Sequence, residues 1–424
     1  GRMGQPLSRS RRYWILFTLM LTGEGIFLLP FVVARVFRPT FLSVFELTNF
    51  ELGTAFSLYG VVAMVSYFFG GPIADRFPPR TIMIVSLLAT AVAGLIMATI
   101  PSMVVLTLLY GFWGLSTILL YWAAAIKATR QYGGEESQGR SYGLVDGGRG
   151  LVAAAIASAA VLLLELLLPV PAEAATVGDL TQALSWIIGI FSGFVALTAL
   201  LVWWTFPPHD TSATVASPKV GWEGLRTLRY HPSVWWQALI LLCAYVGYKC
   251  TDDFSLYAQV AFGYDDVAAA HVGTISYWMR PGAAVAAGYL GDRFGHTRLT
   301  MIAFGIIIAG STVIAAGVLE AALPVTLLMT IALASIGIYA LRGLYFSLFQ
   351  VSHFPLRFTG TAVGIISVIG YSPDVFFGPL MGYLLDHYPG AWGHQLLFLV
   401  LIGFALLGIV ATWAFRQTVA KTQT

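Results

Sequence analysis

Eleven charged side chains stand inside long apolar runs of this chain: Glu24, Lys127, Asp146, Arg149, Glu165, Lys249, Asp252, Asp253, Arg280, Arg342 and Asp374. A charge at the centre of a membrane helix costs about 2.5 to 3.5 kcal/mol even on the mildest scale, so each is expected to face a cavity or a partner. An arginine in such a place suits an anion, because its planar fork pairs two oxygens of a carboxylate, phosphate or sulfonate and stays charged at any relevant pH. A carboxyl in an apolar cavity can move a proton, since burial favours its neutral form and a neighbouring cation its charged form. The chemistry on offer is recognition of a small charged molecule and transfer of a proton. At roughly 1.5 Å of rise per residue, Glu24, Arg280 and Asp374 fall near the middle of their runs. Arg342 and Lys249 remain within reach of the centre, while Lys127, Asp146 and Arg149 lie close to run ends.

Three readings of these charges stay open: an anion held by Arg280, Arg342 and Lys249, structural pairing of the arginines with Glu24 and Asp374, or a cation or zwitterion held by the acids. Lys249 is spaced i,i+3 and i,i+4 from Asp252 and Asp253, which predicts pairing within one helix. Bond-making chemistry has no comparable support. The histidines lie mainly in loops or at run ends without ligand spacing, so no metal site is expected, and no nucleophile motif is present. Gly143, Gly147, Gly148 and Gly150 are not followed by the Lys-Ser or Lys-Thr of a phosphate loop and read as close helix packing. With no nucleotide-binding motif and no cofactor expected, energy must come from an ion or substrate gradient. Ser372-Pro373-Asp374 and Gly378-Pro379 predict a break in one run, which can expose carbonyls to a cavity.

The elements that must position these residues follow from composition. The chain has 424 residues, 58% apolar and 10% charged, with mean hydropathy +0.80. Its 23 basic and 20 acidic side chains cannot supply the charged skin of a soluble protein of this length. Twelve apolar runs long enough to span a bilayer begin near Tyr13, Leu52, Thr81, Ser102, Ser141, Leu184, Val234, Ala269, Leu299, Leu323, Thr361 and Ala391. The one long polar stretch, 207–233, divides them six and six. Arg9, Arg11, Arg12, Arg76, Arg80, Arg130, Arg140, Lys219, Arg226, Arg229, Arg293, Arg298, Arg357, Arg416 and Lys421 fall in alternate loops or termini. The opposite loops hold only Arg35 and Arg38 as basic residues. The positive-inside rule puts both termini in the cytoplasm, so the net charge of +3 reports orientation and nucleic acid is not an expected partner. Cys243 and Cys250, seven residues apart on one run, are too distant for a disulfide. Gly1-Arg2-Met3-Gly4 looks like a tag remnant, and the first run is expected to be a retained span.

An internal repeat ties the halves together. Gly71-Pro72-Ile73-Ala74-Asp75-Arg76-Phe77-Pro78-Pro79-Arg80 follows the second run, and Gly288-Tyr289-Leu290-Gly291-Asp292-Arg293-Phe294-Gly295-His296-Thr297-Arg298 follows the eighth, 217 residues later. Gly139 with Gly143 and Gly360 with Gly364 repeat at a shift of 221. These loops resemble the signature of the major facilitator superfamily, roughly GxLxDRxGRR, between helices two and three and helices eight and nine. The first copy departs from it at Pro78 and Pro79, which stiffen the turn.

The resemblance implies a fold of twelve helices in which one, four, seven and ten line a cavity, two, five, eight and eleven form the seam, and three, six, nine and twelve are peripheral. Runs 82–100, 184–204, 299–319 and 396–415 contain no charge, in keeping with that periphery. It also implies a cytosolic gate with Asp75 against the start of helix eleven and Asp292 against the start of helix five, with Arg76, Arg80, Arg293 and Arg298 in the same loops. Lys127, Asp146 and Arg149, close to the cytosolic run ends by depth, suit such an inner gate.

The expectation is an all-α membrane protein of twelve transmembrane helices in two pseudo-symmetric six-helix bundles, 1–206 and 234–424, joined by a cytosolic linker 207–233. It is expected to be a secondary transporter, not an enzyme, moving a small organic anion by alternating access with proton coupling or by exchange. Arg280, Arg342, Lys249, Tyr121, Tyr248 and Tyr345 would bind substrate, and Glu24 or Asp374 would carry the proton. The rival is a proton-driven exporter of amphiphilic or cationic compounds. The expected partners are the substrate, protons or a counter-substrate, and the lipid bilayer. A monomer in a bacterial inner membrane is expected.

Overall fold

The computed structural model describes residues 7–132, 138–208, 222–345, 347–352 and 359–422. Residues 209–221 of the linker, including Lys219, together with Arg357 and the first residues of the chain lie outside them. Twelve spans run in alternating directions. α1 (Arg9–Val36), α2 (Asn49–Arg76), α3 (Pro79–Ala98), α4 (103–132), α5 (Gln138–Leu167) and α6 (Val177–Thr205) form one half. α7 (232–262), α8 (Asp266–Phe294), α9 (His296–Ala315), α10 (Pro324–Leu344), α11 (359–387) and α12 (Ala391–Thr422) form the other. All but α7 and α8 contain a stretch long and apolar enough to cross a membrane. α7 is broken by a 3-10 turn at Thr251–Asp253.

Local chemistry sets the ends. Thr48 and Glu51 form a reciprocal cap at the start of α2, as Thr176 and Asp179 do for α6, satisfying orphan N–H groups. That cap starts α6 seven residues before the apolar run does. Buried apolar side chains gather in two clusters, one drawn mainly from Ile15 to Phe206 and one from Leu228 to Val419. α1, α4 and α11 are irregular where they face the middle: α1 has a π-turn at Leu28–Val32, α4 one at Leu115–Trp122, and α11 divides into Thr359–Gly370 and Pro373–His387. The α11 break is the one expected from Pro373. The π-turn of α1 contains Pro30, which lacks the N–H of a regular helix, and that of α4 directly follows Gly114.

Glycines close the seam between halves. A Cβ on Gly143 would stand 2.7 Å from the Ala284 carbonyl and 3.1 Å from the Gly288 Cα, and one on Gly147 2.6 Å from Val285, so α5 and α8 approach nearly backbone to backbone. On the other side of the molecule a Cβ on Gly60 would meet the Asp374 backbone at 2.5 Å, and Gly53 packs on Gly378. The second seam lies in the half of the molecule away from the chain termini, here called the far face. Asn49 there donates to Asp386 and Thr40 to Asp266.

Arg35 and Arg38, expected in an exposed loop, are buried. α1 continues through Arg35, and the next helix, Arg38–Phe45, follows within two residues. Arg35 Nε contacts Asp252 Oδ1 at 2.6 Å, across 217 residues of chain. That is the offset of the repeated loops, and it also carries the first residue of α2 onto the first residue of α8. Arg35 and Asp252 therefore occupy equivalent places in the two halves, and the pseudo-twofold axis passes between their side chains.

Candidate functional site: a charged cavity between the halves

A cavity of about 160 Å³ lies between the halves, lined by residues of α1, α2, α4, α5, α7, α10 and α11. Two ion networks bound it. In the first, Arg280 of α8 reaches Asp146 at 2.7 Å and Glu24 at 3.1 Å, and Arg149 reaches the same Glu24 oxygen at 3.0 Å. In the second, Arg35 holds Asp252 at 2.6 Å, while Lys249 lies 3.8 Å from Asp252 and 3.4 Å from Asp374, which also accepts from the Tyr245 hydroxyl at 2.8 Å. Each network joins two cations to two acids and crosses between the halves. Arg342 is different. Its guanidinium lies 4.0 Å from the centre of the Tyr248 ring, its Nε is buried without a hydrogen bond, and among the described residues no carboxylate pairs with it. The two networks and Arg342 together hold five cations against four acids, and the surplus cation, Arg342, lines the space.

Backbone geometry places these groups. Gly150 leaves room for the Arg280 stem, because a Cβ there would stand 2.5 Å from Arg280 Cγ. Gly23 similarly accommodates Arg149, whose Nη2 donates to the Gly23 carbonyl at 3.3 Å. The break in α11 puts Asp374 in the first turn of its second helix, against Gly60. Lys249 rests over the Phe31 and Phe56 rings at 4.5 and 5.2 Å, a favourable environment for an ammonium out of water. Toward the face that carries the termini, the cavity ends at three aromatic rings. Tyr67 stacks on Tyr371 at 6.0 Å across the halves, and Trp122 stands edge-on to both. A smaller void of about 20 Å³ lies against Tyr67 and Trp122, lined also by Gly364 and Ser367.

Of the expected binding residues, Arg342, Tyr248 and Tyr345 line the cavity. Arg280 is buried in the first network and Lys249 in the second. Tyr121 is turned away, its hydroxyl 2.7 Å from Thr22, so it does not line the space. Glu24 and Asp374 both line it. Asp146 and Arg149, assigned from depth to an inner gate, stand in the first network: the early start of α5 at Gln138 sets both further along the helix, and the long Arg149 side chain reaches Glu24. The predicted pairing of Lys249 with Asp252 is present at the edge of contact. Asp253 turns the other way, to His394 at 2.6 Å, since the 3-10 turn rotates consecutive side chains to different sides. His394, expected as a span-end residue, is therefore a buried partner.

The expected gate residues sit at the terminal face. Lys127 donates to the Ala74 carbonyl at 3.2 Å, beside Asp75, and Asp292 pairs with His296 at 3.2 Å. Arg80 lies 5.3 Å from the Trp203 ring centre and Arg293 5.2 Å from that of Phe294, while Arg76 closes α2 and Arg298 opens α9. The segment just before α11 lies outside the described residues. The sequence reading missed Arg35, Tyr67 and Tyr245. Arg35 had a usable signal in its 217-residue spacing from an acid.

A bundle of twelve membrane helices in two related halves, with a charged cavity between them, defines a membrane carrier. Residues 13–373 match the Major Facilitator Superfamily, and the chain belongs to that family of secondary transporters rather than to any class of enzyme. It is 25% identical over 414 residues to inner membrane protein YqcE of Escherichia coli (strain K12), covering 96% of this chain and 95% of that protein. Inner membrane protein YihN of the same organism is 24% identical over 412 residues, with 95% of each covered. The fold is similar to that of a bacterial homologue of the human lysosomal transporter Spinster, solved inward-facing and unoccupied, with TM-score 0.69, 14% identity and 98% and 99% of the two chains covered. It is also similar to the nucleoside transporter NupG, with TM-score 0.67, 13% identity and 95% and 98% covered.

Proposed function

We propose that this carrier moves a small organic anion by alternating access, with Arg342 as the group that receives the charge. The observation that carries the reading is the unmatched guanidinium in the cavity. Arg342 is half-buried, with its Nε shut from water and unbonded. A cation held partly out of water without a counter-ion is unfavourable, and a bound anion would relieve it. The four acids are already engaged, so none is left to receive a cation, which disfavours export of cationic compounds. The aromatic lining is the one feature that such an exporter would share.

For coupling, Asp374 is the better of the two proton candidates. Protonating Glu24 would weaken contacts with two guanidiniums, whereas Asp374 has one ammonium at 3.4 Å. The Arg35–Asp252 pair would close the far face and the Tyr67, Trp122 and Tyr371 rings the other, alternately. The distribution of basic loops supports a cytoplasmic position for the terminal face, and the names of the two relatives support an inner bacterial membrane. We take the functional unit to be the single chain, with residues 1–206 and 234–424 as its rocking halves.

The test is thermal unfolding of the detergent-purified protein with matched anions, cations and neutral solutes, since a ligand of the folded state raises apparent stability by mass action. Stabilisation by anions that is lost in Arg342→Gln is the expected result. Stabilisation by lipophilic cations, sensitive to Glu24→Gln or Asp374→Asn, would replace this reading with the exporter. Asp374→Asn should also abolish uptake driven by a pH gradient, and gradient-driven uptake that survives it would remove Asp374 from the coupling.

A further inference from the structure

We infer that the anion is a singly charged, polyhydroxylated acid of about ten non-hydrogen atoms, a sugar acid in chemical type. The inference rests on the anion reading above and adds the charge, the size and the body of the molecule.

The charge follows from the count of ion pairs. Of the five cations in and behind the cavity wall, four are matched one to one by Glu24, Asp146, Asp252 and Asp374, and only Arg342, which lines the space, is left over. A ligand with one acid group brings the site to neutrality. A second acid group would be a buried charge without a partner, a state disfavoured by several kcal/mol after relaxation. The size follows from the volume. One water needs about 10 to 15 Å³ on this measure, so 160 Å³ accommodates on the order of ten groups of that size.

The body follows from the walls. Near Arg342 the cavity offers Tyr248, whose hydroxyl accepts from Arg35 at 3.1 Å and so keeps its own proton to donate. Across the space, the Tyr67 hydroxyl makes no hydrogen bond among the described residues. An apolar acid would strand both, at about 1 to 3 kcal/mol for each group left unpaired, whereas a hydroxylated acid supplies both donors and acceptors. The Trp122 and Tyr371 rings stand at 83° to one another and give flat, electron-rich faces for the C–H side of a polyol or pyranose. One guanidinium, two hydroxyl positions and a ring corner describe a hydroxy acid better than a fatty or aromatic one.

The experiment is calorimetric titration of the purified full chain with gluconate and glucuronate, glucarate as the dianion, hexanoate and benzoate as apolar monoanions, and glucose as the neutral control. Gluconate or glucuronate should bind at least tenfold more tightly than every other compound, Arg342→Gln should abolish that binding, and Tyr67→Phe should weaken it several-fold without altering weak binding of hexanoate. Equal or tighter binding of hexanoate, benzoate or glucarate overturns the substrate class and leaves the anion reading standing. Failure of every one of these anions to bind protein that melts cooperatively overturns the anion reading itself. Failure of both sugar acids to bind protein that melts cooperatively also overturns the inference.

Discussion

Removing the Arg280 guanidinium should destabilise the protein heavily, and removing its acid partner as well should restore much of the loss. Arg280 is 1% exposed and touches Asp146 at 2.7 Å and Glu24 at 3.1 Å. In Arg280→Gln, Glu24 still has Arg149 at 3.0 Å, so the penalty falls on Asp146, for which Arg280 is the ion-pair partner. Leaving one buried charge without its partner costs about 3 to 5 kcal/mol. Asp146→Asn in the same chain removes that charge, and the two substitutions should couple by about 1 to 3 kcal/mol in a double-mutant cycle. The assay is unfolding in mixed detergent micelles with increasing sodium dodecyl sulfate, followed by tryptophan fluorescence, with the exposed Arg416→Gln as control, expected within about 0.5 kcal/mol of the parent. If Arg280→Gln is no less stable than that control, or if the double variant is as unstable as the single one, the ion network does not hold the halves together and the charge count built on it fails.

Three further outcomes follow from the same geometry. Asp252→Asn should loosen the far face. In a chain with Cys243→Ser and Cys250→Ser, a cysteine placed at Val32 should react faster with an impermeant maleimide added on that side, by about tenfold for each 1.4 kcal/mol lost from the latch, and an unchanged rate would show that the pair is not a closure. Gly150→Val should displace the Arg280 stem and abolish anion-induced stabilisation, whereas Gly189→Ala, where a Cβ has open space, should change neither melting nor binding; equal effects would refute the steric account. Trp122→Ala should open the aromatic closure and shorten the residence time of bound ligand measured by stopped flow, and a lengthened or unchanged time would remove Trp122 from the gate.

The spans were legible because each is a run of apolar residues, and the halves because the Asp75 and Asp292 loops repeat. The break in α11 was legible because Pro373 lacks the N–H that a continuous helix needs. Arg35 was read as lying in a loop because a charge ordinarily ends a span. That rule fails where the partner comes from the other half. Depth counting did not reveal that Asp146 and Arg149 join the Glu24 network: α5 starts earlier than its apolar run, and the arginines Arg149 and Arg280 reach several ångströms from their own backbone level to meet their partners. Pro30 marks the π-turn of α1 as Pro373 marks the break in α11, whereas Leu115–Trp122 of α4 reads as ordinary apolar helix. Which of five cations stays unmatched is set by contacts among six helices, and no spacing along one helix reveals it.

The Arg35–Asp252 pair sits on the axis that relates the halves, and a contact on such an axis joins a position to its own equivalent. In an assembly of two identical copies every residue there would meet itself, so a charge would always meet its own sign. Two copies of the first half would set Arg35 against Arg35, and two copies of the second would set Asp252 against Asp252. Either homodimer would be pushed apart at the far face. Attraction at this point exists only because two sequences joined in one chain are free to differ, and that difference makes the halves non-interchangeable. Opposite charge at this place adds an attraction between the halves on the far face alone, and under the proposed alternating access a bound ligand would have to work against it.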